Sequence, residues 1–499
     1  MSAAPETREG SGPALYPRRW AALGVIAISQ LMVVLDATIV NIALPSARDD
    51  LGITEADQQW VVTAYTLAFG GLLLLGGRIA DYWGRKRTFM VGAIGFAAAS
   101  AIGGLATTGP MLFGARALQG VFGALLAPAS LALLTVLFTD ARERAKAFAV
   151  YGAIAGGGSA VGLLLGGVLT EYASWRWCLL VNIPIALLAL ALAIRVVPES
   201  KADGDTTYDI PGAIIVTLGL ASLVYGFTEA AKPDKGWSSG TTWGFIGAGI
   251  VLLIAFVVVE TRTRNPLLPL RIVLDRNRGG AYLTSVLVGA GLFGAFLFLA
   301  LYLQGVLGYS PLKTGFASLP VTVGVLIAAT VASNALPRVG PKPMMILGPI
   351  LAAAGMVMLR FIDIDTSFWA HLFPAQILLG LGLGFTFVPL SSLALVGVPE
   401  HDAGAASAAL NATQQVGGSL GTALLNTIAT SAITAYLVAN PPKSPEEGGL
   451  AARMAQVDGY SHAFTWSAAL ILLAAVVAAV FIKVRKEDLP VGEGVAHVG

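Results

Sequence analysis

The sequence predicts an all-α polytopic membrane protein with fourteen transmembrane helices. Hydrophobic residues make up 56% of the 499-residue chain and charged residues only 12%, against about 25% charged in ordinary globular domains. The apolar residues gather into long runs, and a run of about 20 residues crosses the hydrocarbon layer as a helix. A helix is the element expected there because it satisfies its own backbone polar groups in lipid. The polar segments between the runs are too short for a catalytic domain, so a non-enzymatic protein is expected. The 31 basic and 29 acidic residues nearly cancel, which gives a nucleic-acid partner no electrostatic support. Cys178 is the single cysteine, so neither an intramolecular disulfide nor a cysteine metal cluster can form.

The fourteen runs lie near 20 to 44, 59 to 79, 88 to 107, 110 to 138, 147 to 170, 177 to 197, 210 to 229, 243 to 260, 279 to 305, 313 to 337, 343 to 361, 369 to 398, 404 to 434 and 462 to 483. The first follows Arg18 and Arg19 as a leader peptide would, but its length and its Asp36 and Asn41 predict a retained span. An even number of spans places both termini on one side. With twenty-two basic residues on the terminal side and eight on the other, that side is expected to be the cytoplasm of a bacterial inner membrane.

Degenerate internal repetition divides the chain. The Gly77–Arg87 segment aligns with Ser333–Pro343, Arg116-x3-Gly120 with Gln376-x3-Gly380, and Gly158-x3-Gly162 with Gly417-x3-Gly421, at offsets of 256 to 260. Such repeats are how many transporters are built. The expected organisation is a cytoplasmic tail (1–19), a six-helix bundle (20–198), a linker with two extra spans (199–278), a second six-helix bundle (279–483) and a cytoplasmic tail (484–499).

In the first span the run Leu35 to Pro45 carries Asp36. A carboxylate at mid-membrane costs roughly 2.5–3.5 kcal/mol on insertion scales, so it faces a cavity or a partner. Removal from water raises a carboxyl pKa, as a proton carrier requires. Asp36 is therefore the expected proton site, or the partner of a cationic substrate. At the end of the second span, Asp81 is placed to meet a helix end or a basic residue, Gly84 permits a tight turn, and Arg85, Lys86 and Arg87 anchor that face. Asp81, Gly84 and Arg85 are the expected gate. In the fourth span Arg116 cannot release its proton, but it can bias a nearby carboxyl toward ionisation. Asp36 and Arg116 are thus the expected coupling residues.

In the fifth span Gly158, Gly162 and Gly166 recur every four residues, with Gly152 and Gly156 on a neighbouring stripe and Gly167 following. Small residues at this spacing let helices approach closely, and a tight seal between two moving halves is expected. In the thirteenth span Asn411, Gln414, Gln415, Gly418 and Thr422 share one helical face, as a cavity wall would. Ser29, Gln30, Asn41, Tyr65, Gln304 and Gln376 are further candidates for that cavity. Gly380–Gly384 lacks a preceding strand, so a dinucleotide site is not expected, and no P-loop lysine follows Gly156–Ser159. No nucleotide, metal or other cofactor is expected.

These residues resemble the fourteen-helix drug:proton antiporters of the EmrB/QacA type within the major facilitator superfamily. The resemblance runs from Trp20 to about Lys483. It rests on Leu35–Pro45, Gly77–Arg87, Arg116–Gly123 and the segment from Trp175-Arg176-Trp177 to Asn182-Ile183-Pro184. Leu163 stands where that group's fifth-helix signature has proline, which removes the expected kink. The resemblance implies the major facilitator fold, a cavity between two bundles, and alternating access driven by a proton gradient. It also implies coupling roles for Asp36 and Arg116 and gating roles for Asp81 and Arg85. The expected activity is export of lipophilic drugs by a monomer in exchange for protons. Proton-linked movement of an endogenous metabolite or lipid is the alternative, and a membrane receptor or assembly factor a remoter one.

Overall fold

The computed structural model describes residues 16–138, 140–201, 209–232, 235–263, 266–268, 270–395, 398, 403–442 and 444–484, and every regular element among them is a helix. In chain order these are α1 (Arg19–Leu51), α2 (Trp60–Trp83), α3 (Arg85–Gly104), α4 (Gly109–Leu137), α5 (Ala141–Tyr172), α6 (Trp177–Leu180) and α7 (Asn182–Val196). Next come α8 (Ile210–Ala231) and α9 (Gly240–Arg262), then α10 (Leu270–Val273), α11 (Arg276–Leu301), α12 (Pro311–Ala317) and α13 (Leu319–Val339). The last four are α14 (Pro341–Leu359), α15 (Phe373–Leu395), α16 (Ala403–Ala439) and α17 (Pro445–Phe481).

Among the described residues, thirteen helical segments are long and apolar enough to cross a membrane. The fifth expected span lies in α5, a continuous helix some of whose side chains fall outside the described residues, and it is not among the thirteen.

Local signals set most boundaries. Thr108 caps α4 by accepting from Met111 N, and Asp275 caps α11 by accepting from Asn277 N and Arg278 N. Two boundaries differ most from expectation. α1 runs through Pro45 to Leu51 and stops only where Gly52 adopts φ 61°, the left-handed conformation glycine takes without steric cost. α17 begins at Pro445, seventeen residues before the expected span, because Ser444 caps it through Glu447 N with proline in the first turn.

The internal repeat is visible in the packing. In the first half α4 lies on α2 and α5 on α1; in the second α15 lies on α13 and α16 on α11. A methyl added to Gly120 would strike Tyr65 O, and one added to Gly380 would strike Val321 O. The matched glycines thus occupy matched crossings, because only a missing side chain lets backbones meet there.

α8 lies along the seam where α2 meets α16. Leu220 and Val224 join Leu67 and Ala423 in one buried cluster, Gln59 donates to Thr228 Oγ1 at 2.7 Å, and Thr427 donates to Phe227 O at 2.7 Å. α9 packs outside α8 and leaves Val251, Ile254 and Trp243 exposed. Beside this seam Glu229 is fully buried and bonds Lys232 and Lys235. That hydrogen bond raises the Lys232 ammonium above its ordinary range.

The molecule has two distinct faces. Arg18 donates to Arg195 O, Lys86 to Ile194 O, Arg78 to Pro266 O and Arg276 to Phe481 O, so the start of α1 and the end of α17 lie on one face. Arg176 pairs with Asp50, and Ser461 bonds Arg360 O, on the other. The two halves are tied together from that opposite face down to mid-helix. Gln58 donates to Asn426 at 3.3 Å, Thr66 Oγ meets Ser419 Oγ at 2.8 Å, Gln304 donates to Ile42 O at 3.0 Å, and Leu312 N donates to Glu171 at 2.9 Å. The halves are therefore closed together at the face away from the termini.

Candidate functional site

The centre of the first half is a charge network sealed from solvent. Asp36 of α1 and Arg116 of α4 are 0% and 1% exposed, and Arg116 Nη1 lies 2.6 Å from Asp36 Oδ2. Three further helices complete it. Gln119 Nε2 donates to Asp36 Oδ1 at 2.8 Å and to Ser100 Oγ of α3 at 2.7 Å. Asn182 Nδ2 of α7 donates to Asp36 Oδ1 at 2.9 Å, and Arg116 Nε donates to Val61 O of α2 at 2.9 Å. The Tyr65 ring lies under the guanidinium at 4.6 Å.

Desolvating two charges costs several kcal/mol per ion, and only dense hydrogen bonding offsets it. Here the carboxylate receives three donors, and the guanidinium is spread over a carboxylate, an amide, a backbone carbonyl and an aromatic face. Toward the closed face the network is capped by an apolar void of roughly 10 Å³, about the room one water needs. Val40, Ala43, Leu44, Val61, Leu112, Cys178 and Leu179 line it.

Asp36 and Arg116 are thus brought together, and each is the other's partner. Gln119 and Asn182 were not among the expected site residues, although both lie in segments that carried the family resemblance. Ser100 gave no signal, since a lone serine in an alanine-rich helix looks like packing.

At the terminal face Arg85 grips Asp81 Oδ1 through Nη2 at 2.7 Å and Nε at 3.2 Å. The intervening Gly84 sits at φ 128°, a conformation that disfavours other residues. Glu199, unexpected from sequence, accepts from Lys86 N at 3.1 Å and Arg87 N at 3.2 Å. It caps the positive end of the α3 dipole and ties the end of α7 to the turn after α2.

The expected cavity residues divide by location. Ser29, Tyr65 and Gln376 are buried within helix packing: Ser29 bonds Val25 O, Tyr65 supports Arg116, and Gln376 donates to Ala317 O. Gln304 ties the halves together through Ile42 O. Gln30 is half-buried and accepts from Tyr151 at 2.7 Å, joining α1 to α5. Asn41 bonds Ala37 O within α1. On α16, Gln414 and Gln415 are half-buried and Asn411 is exposed, while Gly418 meets the Phe293 ring and Thr422 is buried.

The glycine stripe packs inside one half. Methyls on Gly158, Gly162 and Gly166 would meet Val34, Thr38 and Ile39 of α1. α5 meets the other half at Gly167, where a methyl would lie 2.7 Å from Leu312 Cα, and at Leu163, whose carbonyl faces Gly315. Gly152 and Gly156 are in α5, at positions whose surroundings lie outside the described residues.

A family model described as Major Facilitator Superfamily matches residues 26–422. The chain belongs to the Major Facilitator Superfamily. It is 50% identical over 494 residues to the puromycin resistance protein pur8 of Streptomyces alboniger, covering 98% of this chain and 96% of the relative. It is 36% identical over 481 residues to the cephamycin export protein CmcT of Amycolatopsis lactamdurans, covering 96% and 95%. The multidrug efflux pump LfrA of Mycolicibacterium smegmatis is 33% identical over 435 residues, covering 87% and 86%. Among solved structures, an inward-facing bacterial homologue of the lysosomal transporter Spinster superposes with a TM-score of 0.66, covering 95% of this chain and 99% of that one at 14% identity. This major facilitator protein is therefore a multi-pass membrane transporter whose relatives include antibiotic exporters.

Proposed function

We propose that this transporter exports a lipophilic, antibiotic-like compound in exchange for protons, with Asp36 as the proton site and the terminal face in the cytoplasm. The observation that carries the reading is the sealed Asp36–Arg116 pair. A transporter that needed only a rigid bundle would do better with apolar side chains, since a buried ion pair rarely adds stability over packed hydrocarbon. Such a pair serves a function when its charge changes.

Protonation of Asp36 removes the charge that holds the Arg116 guanidinium. Arg116 then relies on Val61 O and the Tyr65 ring, both on α2. The next residue, Thr66, is bonded to Ser419 of α16. α2 thus carries a wall of the charge network on one face and the seam between halves on another, which couples titration of Asp36 to opening. Return of the halves to the closed form re-forms the pair and expels the proton.

The relationship to pur8 favours puromycin, or a compound like it, as substrate. The one buried acid of the network favours neutral or monovalent cationic compounds over dications. Everted vesicles test the reading: an imposed pH gradient should drive uptake of puromycin or a lipophilic dye. Flux indifferent to the gradient overturns proton exchange. Gradient-driven flux that excludes puromycin and dyes but accepts a metabolite overturns drug export.

A further inference from the structure

A second pair of buried acids lies outside the Asp36 network, where the inserted helices meet the linker. Asp209 caps α8 and is 5% exposed; Glu260, in the last turn of α9, is 3% exposed. Each carboxyl uses one oxygen on backbone: Asp209 Oδ1 accepts from Gly212 N at 2.9 Å, and Glu260 Oε2 accepts from Leu268 N at 2.9 Å. The remaining oxygens, Asp209 Oδ2 and Glu260 Oε1, are buried and find no donor. They converge on one point: a methyl on Gly212 would strike the first and lie 2.9 Å from the second.

Other ionisable groups nearby are few. Arg78 of α2 donates to Pro266 O at 3.1 Å, Arg262 is exposed on α9, and Arg271 lies on α10. Neither Arg78 nor Arg262 forms an ion pair with either acid among the described residues, and Arg264 lies outside them. Two facing acceptors without a donor repel, and a proton on either one turns the contact into a hydrogen bond.

We propose that Asp209 and Glu260 form a second proton-binding site in which a single proton is shared between Asp209 Oδ2 and Glu260 Oε1. The site reports to the gate helix. Residues 266–268 are tied to Glu260 through Leu268 N and to α2 through Arg78 and Pro266 O. Arg78 is one helical turn before Asp81. Loss of the proton places two charges in one buried space, and the repulsion acts on the strap bonded to Glu260.

Infrared titration of the purified full-length protein tests this without a substrate, so its outcome is independent of the transport reading. A protonated-carboxyl stretch should vanish as pH rises and should shift in wild-type protein labelled with ¹³C-glutamate or ¹³C-aspartate. Asp209→Asn and Glu260→Gln should each remove that one band and leave the Asp36→Asn difference spectrum unchanged. Amide exchange at Leu268, corrected for its intrinsic pH dependence, should rise at least tenfold across the same pH interval. A spectrum with no titrating band assignable to either residue, or one unaltered in both variants, overturns the shared proton. Unchanged protection at Leu268 through the transition overturns the link to the strap.

Discussion

Thr66 and Ser419 are joined hydroxyl to hydroxyl at 2.8 Å, and Thr66 directly follows the tyrosine whose ring supports Arg116. One turn of α2 therefore holds both the seam between the halves and a wall of the charge network. In a Cys178→Ser background, the double variant T66C/S419C should form a disulfide readily and lose flux to background. Reduction should restore it. Free turnover in the oxidised form would show that this seam need not open.

The Asp36–Arg116 pair predicts a non-additive pattern of stability. Removing one partner leaves an uncompensated buried charge, which costs about 3–5 kcal/mol, whereas removing both does not. Asp36→Asn and Arg116→Gln should each lower the thermal unfolding midpoint in detergent, and the double variant should recover much of the loss. All three should lack gradient-driven transport. Additive losses in stability would mean that the two groups do not neutralise each other.

Arg116→Lys separates charge from geometry. Lysine keeps the charge but cannot present the planar fork that reaches Asp36, Gln119 and Val61 O together. Losing one hydrogen bond to a charged group costs about 1.5–3 kcal/mol. Transport measured in vesicles should fall while the protein still reaches the membrane; wild-type coupling would contradict this.

Gly167→Ala should bias the protein away from the closed arrangement, because the added methyl meets Leu312 backbone at 2.7 Å. Cross-linking of T66C/S419C should drop in that background. Gly157→Ala is the control, since nothing lies within 4 Å of its added methyl. Equal cross-linking in both backgrounds would show that the α5–α12 contact does not set the equilibrium.

At the terminal face, Asp81→Asn should slow transport without abolishing substrate binding, since Asp81 contacts Arg85 and no cavity residue. Glu199→Gln should have a smaller effect, about 0.3–1 kcal/mol of helix-dipole stabilisation. Stopped-flow turnover and equilibrium dye binding separate the two. Lost binding in Asp81→Asn would argue against a latch.

The repeat shows how far sequence reaches. Arg116 and Gln376 align in it, and in the structure both donate to a backbone carbonyl of a neighbouring helix, Val61 O at the start of α2 and Ala317 O at the end of α12. Their shared architecture was legible. That only the first half turned this position into a charge site followed from the two buried charges, Asp36 and Arg116. Their completion by Gln119, Asn182 and Ser100 was not legible, because neutral polar residues in apolar helices look alike until their partners are known. The same limit applies to Ser29 and Gln376, which share a cavity lining's composition and are buried against Val25 O and Ala317 O.

The long apolar runs by themselves determined that this chain is a bundle of membrane-crossing helices, since hydropathy is an additive property of the chain. Tertiary structure alone decided that Asp36 meets Arg116, that α8 covers the α2–α16 seam, and that Asp209 faces Glu260. Those pairs lie 80, about 200 and 51 positions apart. Contacts across such separations depend on which helix faces turn toward each other, and close packing of small residues fixes that orientation only once all the helices are assembled.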